Sequence, residues 1–291
     1  MKSISLTGDL GSGKSTVAKE LSKITGLPYY STGTIQRQYA LEHGMNTLEM
    51  NYSCEKDCSL DTFIDTKLSE INVSPEDYIF DSRLAWHFVS KSFKVYVTID
   101  PTIAAKRVLN DKSRVNDPSA NEVSEVVTNL IERKTVENRR FKTIYGVDCS
   151  DINNFHLIVD SSYANINSIV EVILNELANY RNDVKYPKLW CSPISIYPMQ
   201  NIREIDFNME HVSDSPIQVV EYKGKLYAWD GHHRLSKAIR DGYQLVNYVI
   251  VAKDGEEIIP GLTVDKFVET TFKQSWVYDW EDAHNINYPT R

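Results

Sequence analysis

The 291-residue chain predicts an α/β protein in which a parallel sheet is flanked by helices, followed by a smaller α+β domain. Three features of the sequence carry this. Short apolar runs at Ile4 to Leu6, Tyr78 to Phe80, Val95 to Ile99 and Leu157 to Val159 alternate with helical stretches, a pattern that buries parallel strands under helices on both faces. The pattern stops after Tyr180, where RNDVKYPKLWCSP has two prolines and no helical period. Beyond it the apolar spacing is that of a hairpin followed by one helix and one strand.

In chain order, the first strand runs into a glycine loop, after which Val17, Leu21 and Ile24 recur at helical spacing. Further helices are expected at Ile103 to Leu109, Val123 to Ile144 and Ile166 to Tyr180. The domain boundary is expected near 186, giving domains 1–185 and 186–291. In the second, Ile217 to Tyr222, a Lys223-Gly224 turn and Leu226 to Trp229 form the hairpin. A helix from His233 to Asp241 and a strand from Val246 to Val251 follow. The aromatic tail, with Phe267, Phe272, Trp276, Tyr278 and Trp280, is either a stacking surface for single-stranded bases or packing against the first domain. Interleaved Asp279, Glu281 and Asp282 favour packing.

Composition narrows the partners. The hydrophobic share of 42% and charged share of 25% are those of ordinary globular protein. No run approaches the roughly 18 apolar residues that span a bilayer, and MKSISLTGDL lacks an apolar signal core, so a cytoplasmic protein with no membrane partner is expected, in the host cytoplasm if viral. Cys54, Cys58, Cys149 and Cys191 are too few and scattered for a disulfide framework or a four-ligand zinc site, and read as reduced thiols. The net charge of -8 divides as 21 basic against 25 acidic residues in 1–185 and 11 against 15 in 186–291. Neither part attracts a polyanion at long range, so any DNA contact must come from a local patch.

Gly8-Asp9-Leu10-Gly11-Ser12-Gly13-Lys14-Ser15 fits G-x-x-x-x-G-K-[ST] between a strand and a helix. Small residues let backbone N–H groups turn towards phosphates, and the helix N-terminus adds positive potential. Gly8 through Thr16 are therefore expected to bind ATP, with Lys14 on the β/γ-phosphates and Ser15 on Mg²⁺. Tyr30-Ser31-Thr32-Gly33 with Arg37, Asp81-Ser82-Arg83 at a strand end, a helix carrying Arg133, Glu137 and Arg140, and Asp160 follow in order. Phosphoryl transfer needs cations around a spreading negative charge. Arg37 and Arg83 suit an acceptor phosphate; Arg133 and Arg140, seven apart on one helical face, suit a lid over ATP.

Residues 1 to about 175 resemble the cytidylate kinases, particularly the short archaeal type, through GSGKSTVAKELSKITGLPYYSTGTIQR, FDSRLAW, RKTVENRRFKTIYGVD and FHLIVDSS. The resemblance implies a P-loop nucleoside monophosphate kinase fold, with Ser31, Arg37 and Arg83 near the acceptor and Arg133 and Arg140 in the lid. Ser82 and Trp86 depart from the family's Gly-Arg-Leu-Ala-Gly at the strand end. Trp86 there could close the acceptor pocket or stack on a base.

In the second domain, Asp230-Gly231-His232-His233-Arg234 opens a helix after the hairpin and reads as an anion site. Metal is disfavoured, because adjacent helical histidines diverge by about 100°. DSPIQVVEYKGKLYAW, DGHHRLSKAIRDG and NYVIVA resemble the ParB/sulfiredoxin fold over about 190–252. Sulfiredoxin's reactive cysteine aligns with His232, which excludes that chemistry. The two-part arrangement resembles bacteriophage P-loop kinases of thymidine hypermodification. That resemblance implies transfer of the γ-phosphate to 5-hydroxymethyluracil in DNA, with Asp81 orienting or deprotonating the hydroxyl of a flipped-out base. The alternatives are a free CMP or dCMP kinase, and a nucleotide-dependent ParB-like binding module with a degenerate kinase. The intact Lys14-Ser15 weighs against the last.

Overall fold

A computed structural model describes residues 2–289 except 55, 56, 58, 73, 74, 112–121, 181–186 and 206–214; Cys58 and the expected boundary at 186 lie outside the described residues. The chain divides into two compact units, Met1–Ser162 with Ile169–Pro187, and Tyr163–Ser168 with Lys188–Arg291.

The first unit runs β1 (Ile4–Gly8), α1 (Lys14–Thr25), β2 (Tyr29–Ser31), α2 (Thr32–Glu42), α3 (Thr47–Cys54), α4 (Ser59–Asn72), β3 (Ile79–Asp81), α5 (Ala85–Phe88), β4 (Phe93–Thr98), α6 (Pro101–Asn110), α7 (Val123–Tyr145), β5 (Leu157–Asp160) and α8 (Ile166–Ala178). Its strands pair in the order β2-β3-β1-β4-β5, every pair parallel. The centre of the sheet is β1, buried along its whole length as its apolar run predicts. Val17, Ala18 and Leu21 form the inner face of α1, whereas Ile24, expected with them, is 56% exposed in the last turn, one residue before the helix ends at Thr25. Asp100 caps α6 by accepting from Thr102 N and Ile103 N, and Pro101 occupies the first turn, where a missing N–H costs nothing. Residues 32 to 72 carry three helices absent from the sequence reading, and Met50, Cys54, Leu60, Ile64 and Leu68 make with Phe80 a separate apolar cluster.

The second unit contains β6 (Lys188–Cys191), β7 (Ile196–Tyr197), β8 (Ile217–Tyr222), β9 (Lys225–Asp230), α9 (His232–Arg240), β10 (Val246–Lys253), β11 (Glu257–Ile259), β12 (Leu262–Thr263), α10 (Val264–Thr271) and α11 (Gln274–His284). The expected hairpin forms between β8 and β9, with Lys223 at φ 49 and Gly224 at φ 71 supplying the two left-handed residues of its tight turn. β10 lies parallel to β8 and antiparallel to β6. The aromatic tail packs within this unit's own core: Trp280 is fully buried, its Nε1–H donating to Gln200 O at 3.0 Å, and Phe267 meets Trp229 edge-on. Only Tyr278 of the tail aromatics is strongly exposed, at 58%, so the tail offers no row of stacking rings.

Among the described residues, no helix is long and apolar enough to cross a membrane. Cys54, Cys149 and Cys191 are buried and not in disulfides.

Candidate active site

The glycine loop turns out of β1 at the C-terminal edge of the parallel sheet, the edge where open α/β sheets bind their ligands. Two of its glycines are required by space as well as by φ. A Cβ on Gly8 (φ 158) would meet Val97 O at 2.3 Å, and one on Gly11 (φ 82) would meet Ala104 Cβ at 2.9 Å. Gly13, left-handed at φ 78, opens α1, so the first N–H groups of that helix have no intrahelical acceptor. Ser12 Oγ is buried within the loop with no hydrogen-bond partner, a donor held ready for an anion. These features fit a bound triphosphate.

Around the loop, the ends of three strands bring together groups far apart in sequence. Lys14 Nζ pairs with Asp81 Oδ1 at the end of β3. Tyr29 OH donates to Asp81 Oδ2 at 2.8 Å and Ser31 Oγ at 3.3 Å, both from β2, and Ser15 adds a further hydrogen bond. Burial alone would raise the Asp81 carboxyl; the Lys14 ammonium and the hydrogen bonds outweigh it and hold the group at about 2. While it is paired with Lys14, so acidic a carboxyl is ionised at neutral pH and a poor proton acceptor. Burial pulls Lys14 down despite Asp81, and Arg83 and Arg37 add to the effect. Arg37 itself, on α2, bonds Thr34 Oγ1 at 3.4 Å.

A second carboxylate organises the arginines. Glu137, 4% exposed on α7, takes Arg83 Nε at 3.0 Å on one oxygen and Arg133 Nε at 3.1 Å on the other. Burial would raise its carboxyl, but Arg83, Arg133 and Arg140 together hold it below the usual range. Arg83 also donates to Gly8 O, tying the segment after β3 to the start of the loop. Lys134 and Tyr96 meet on the Oδ1 of Asp9, so this loop residue contributes an anchor for α7 and β4 through its side chain.

The structure therefore gathers Lys14, Ser15, Ser31, Asp81, Arg83 and Arg133, and corrects two sequence expectations. Arg140 is 2% exposed, with its guanidinium 3.2 Å from Asp61 and 2.7 Å from Asn51 Oδ1; it anchors α7 to α3 and α4 and presents nothing to the loop. Trp86 is 5% exposed, donates to Arg83 O at 2.9 Å and packs on Phe155, so it neither lines an open acceptor pocket nor offers a face to a base. Asp160 sits in its own turn, accepting from Ser162 N at 3.0 Å. Tyr29, Glu137, Lys134 and Tyr96 were not recognised as site groups in the sequence, where only the periodicity of Arg133, Glu137 and Arg140 hinted at one of them.

The anion site expected in the second unit is changed as well. His232 Nε2 accepts from Met199 N at 3.1 Å, and burial pushes the ring down to about 4, so it is a neutral acceptor inside the core. Arg234 is spent on Asp230 at 2.7 Å and on the carbonyls of Ser215 and Pro216. Gly231, left-handed at φ 97, lets the Arg234 guanidinium fold over it, leaving His233 as the half-buried remainder of the motif.

A strand, glycine loop and helix with a buried lysine–aspartate pair and a carboxylate-clamped arginine pair define a P-loop phosphotransferase. A family model described as an AAA domain matches residues 4–128. Over 171 residues, 58% of this chain, the sequence is 36% identical to the cytidylate kinase of Aeropyrum pernix and covers 95% of that protein. Over 189 residues it is 30% identical to an S-adenosylmethionine-dependent nucleotide dehydratase of Lacinutrix mariniflava, covering 64% of this chain and 38% of that one. The shikimate kinase of Bacteroides thetaiotaomicron superposes with a TM-score of 0.45 at 17% identity, over 62% of this chain and 99% of that chain. The chain belongs to the cytidylate kinase family.

Proposed function

We propose that the protein transfers the γ-phosphate of ATP to a free pyrimidine nucleoside monophosphate, CMP or dCMP. The observation that carries this reading is the 36% identity to a cytidylate kinase over 95% of that relative's length. The net charge of -8 supports a small acceptor over a polyanion. This reverses the order of preference between DNA and free nucleotide that the two-part sequence suggested.

ATP, when bound, would supply the phosphoryl group, and Mg²⁺ would supply positive charge against the phosphates. The protein's part is positioning and electrostatics. Gly8 to Thr16 wrap the phosphates with backbone N–H groups, and Ser15 offers its hydroxyl to the metal. Lys14 would exchange Asp81 for phosphate oxygens, freeing the Tyr29 and Ser31 hydroxyls to hydrogen-bond the acceptor and the Asp81 carboxylate to accept from its hydroxyl or amino groups. Arg83 and Arg133, fixed by Glu137, face the charge that develops between donor and acceptor, with Arg37 on the acceptor side. No general base is needed for an acceptor phosphate, already anionic at neutral pH.

A second reading, phosphorylation of 5-hydroxymethyluracil in DNA, has one observation in its favour: the cytidylate kinase match takes in 58% of the chain, and the rest has no counterpart in that relative. On that reading the second unit, with its ParB/sulfiredoxin-like motif, presents the base. Incubation with radiolabelled ATP separates the two. Label on CMP or dCMP supports the first; label confined to hydroxymethylated DNA oligomers replaces it with the second.

A further inference from the structure

A cavity of about 640 Å³ opens at the opposite end of the first unit's sheet, lined by Lys2, Ser3, Asp77, Ser90, Lys91, Lys94, His156 and Tyr180. Its position follows from the topology. Ser3 precedes β1, Asp77 lies before β3, Lys91 precedes β4 and His156 precedes β5, so the lining is drawn from the N-terminal ends of parallel strands whose C-terminal ends form the phosphate loop. Five residues of β1 at about 3.3 Å each put some 16 Å between the two.

Three lysines and one carboxylate line this cavity among the described residues. Among the described residues, none of Lys2, Lys91 and Lys94 forms an ion pair with an acid, and Asp77 Oδ1 accepts from the backbone N–H and hydroxyl of Ser3. Aromatic faces fix the two partly buried ammoniums: Lys2 Nζ lies 4.1 Å from the Tyr180 ring centroid and Lys94 Nζ 5.9 Å from that of Trp86. His156 is locked between them, its Nδ1 accepting from Lys94 N at 3.0 Å and its Nε2 meeting Tyr180 OH at 3.2 Å. The charges are felt locally. Lys2 is pulled down by burial and by Lys94, and His156 is pushed to about 4 by burial and then by both lysines. Holding like charges together in a half-enclosed pocket is unfavourable until an anion enters.

We propose that this cavity binds a small phosphate-bearing anion, through Lys2, Lys91 and Lys94, at a site separate from the phosphate loop. Its volume admits ligands from a single phosphate to a polyphosphate chain.

The test titrates the full-length protein at neutral pH with inorganic phosphate, with tripolyphosphate and with chloride at matched ionic strength. The ring signals of His156, assigned through His156→Gln, are followed by NMR. These signals should shift saturably with phosphate or tripolyphosphate and not with chloride. Lys94→Gln should weaken the dissociation constant about tenfold, the value of one charge-assisted hydrogen bond, while ATP binding at the loop is unchanged. A shift with both anions assigns a single phosphate group as the ligand, and a shift with tripolyphosphate alone assigns a polyphosphate. No shift with either, an equal shift with chloride, or an undiminished affinity in both Lys2→Gln and Lys94→Gln overturns the site.

Discussion

Lys134 Nζ lies 2.6 Å from Asp9 Oδ1, an ion pair between residues 125 positions apart that joins helix α7 to the phosphate loop. Tyr96 OH donates to the same oxygen at 2.9 Å from β4, so one loop carboxylate collects contacts from two further elements. With Lys134 side chain 39% exposed, solvent screens the pair and its share of stability is small.

Lys134→Ala should therefore change the unfolding free energy by less than about 1 kcal/mol, yet raise the KM for ATP several-fold, because the loop loses its tie to α7. Denaturant unfolding beside steady-state kinetics checks both halves. A large loss of stability would mean that the pair is more than a local tie.

Lys14→Ala removes the cation of the loop and should lower turnover by on the order of 100-fold or more, about 3 kcal/mol of transition-state stabilisation. Circular dichroism should show an unchanged fold. Near-normal turnover would place the chemistry elsewhere.

Glu137→Ala leaves Arg83, Arg133 and Arg140 crowded in a buried place without their shared anion. Breaking such a buried cluster costs about 3–5 kcal/mol, and the arginines lose their aim, so a lowered melting temperature should accompany lowered kcat. Glu137→Gln, which keeps the shape and one acceptor oxygen, should recover part of the stability but little of the kcat. Full activity in both variants would remove Glu137 from the site.

Asp81 links stability to acid. Its carboxyl is held at about 2 in the fold, against 3.8 for the free side chain. A depressed carboxyl contributes stability that is complete above the unfolded value and disappears as the pH falls through the folded one. The difference corresponds to about 2 kcal/mol, so wild-type stability should fall between about pH 4 and pH 2. Asp81→Asn should be less stable at neutral pH, with Lys14 left unpaired, and should lack this part of the acid dependence. Identical pH profiles for the two proteins would contradict the pairing.

The parts of this account that were legible in the sequence are those written in consecutive residues. The loop from Gly8 to Ser15 is one, since each glycine answers a left-handed φ or a contact with Val97 or Ala104 that no side chain tolerates. The Lys223-Gly224 hairpin turn is another. What escaped is made of pairs brought together only by the fold, such as Arg83 with Glu137 and Lys134 with Asp9. Strand β2 has three residues, too few to display alternation, which hid Tyr29 as a partner of Asp81. Arg140 was misread for a related reason. Seven-residue spacing puts it near the face of Arg133, but the buried Asp61 and Asn51 claim its guanidinium, and neither was visible as a neighbour. His232 likewise reads as part of an anion site until Met199 N–H is found pointing at it.

The most direct test of the central claim is the ratio of kcat/KM for CMP to that for a 5-hydroxymethyluracil oligomer, measured with the full-length protein and ATP·Mg²⁺. The account predicts rapid production of CDP that disappears in Lys14→Ala, with negligible label on the oligomer. Transfer to the oligomer with no turnover of CMP or dCMP would contradict it and make the second unit the reader of a DNA substrate.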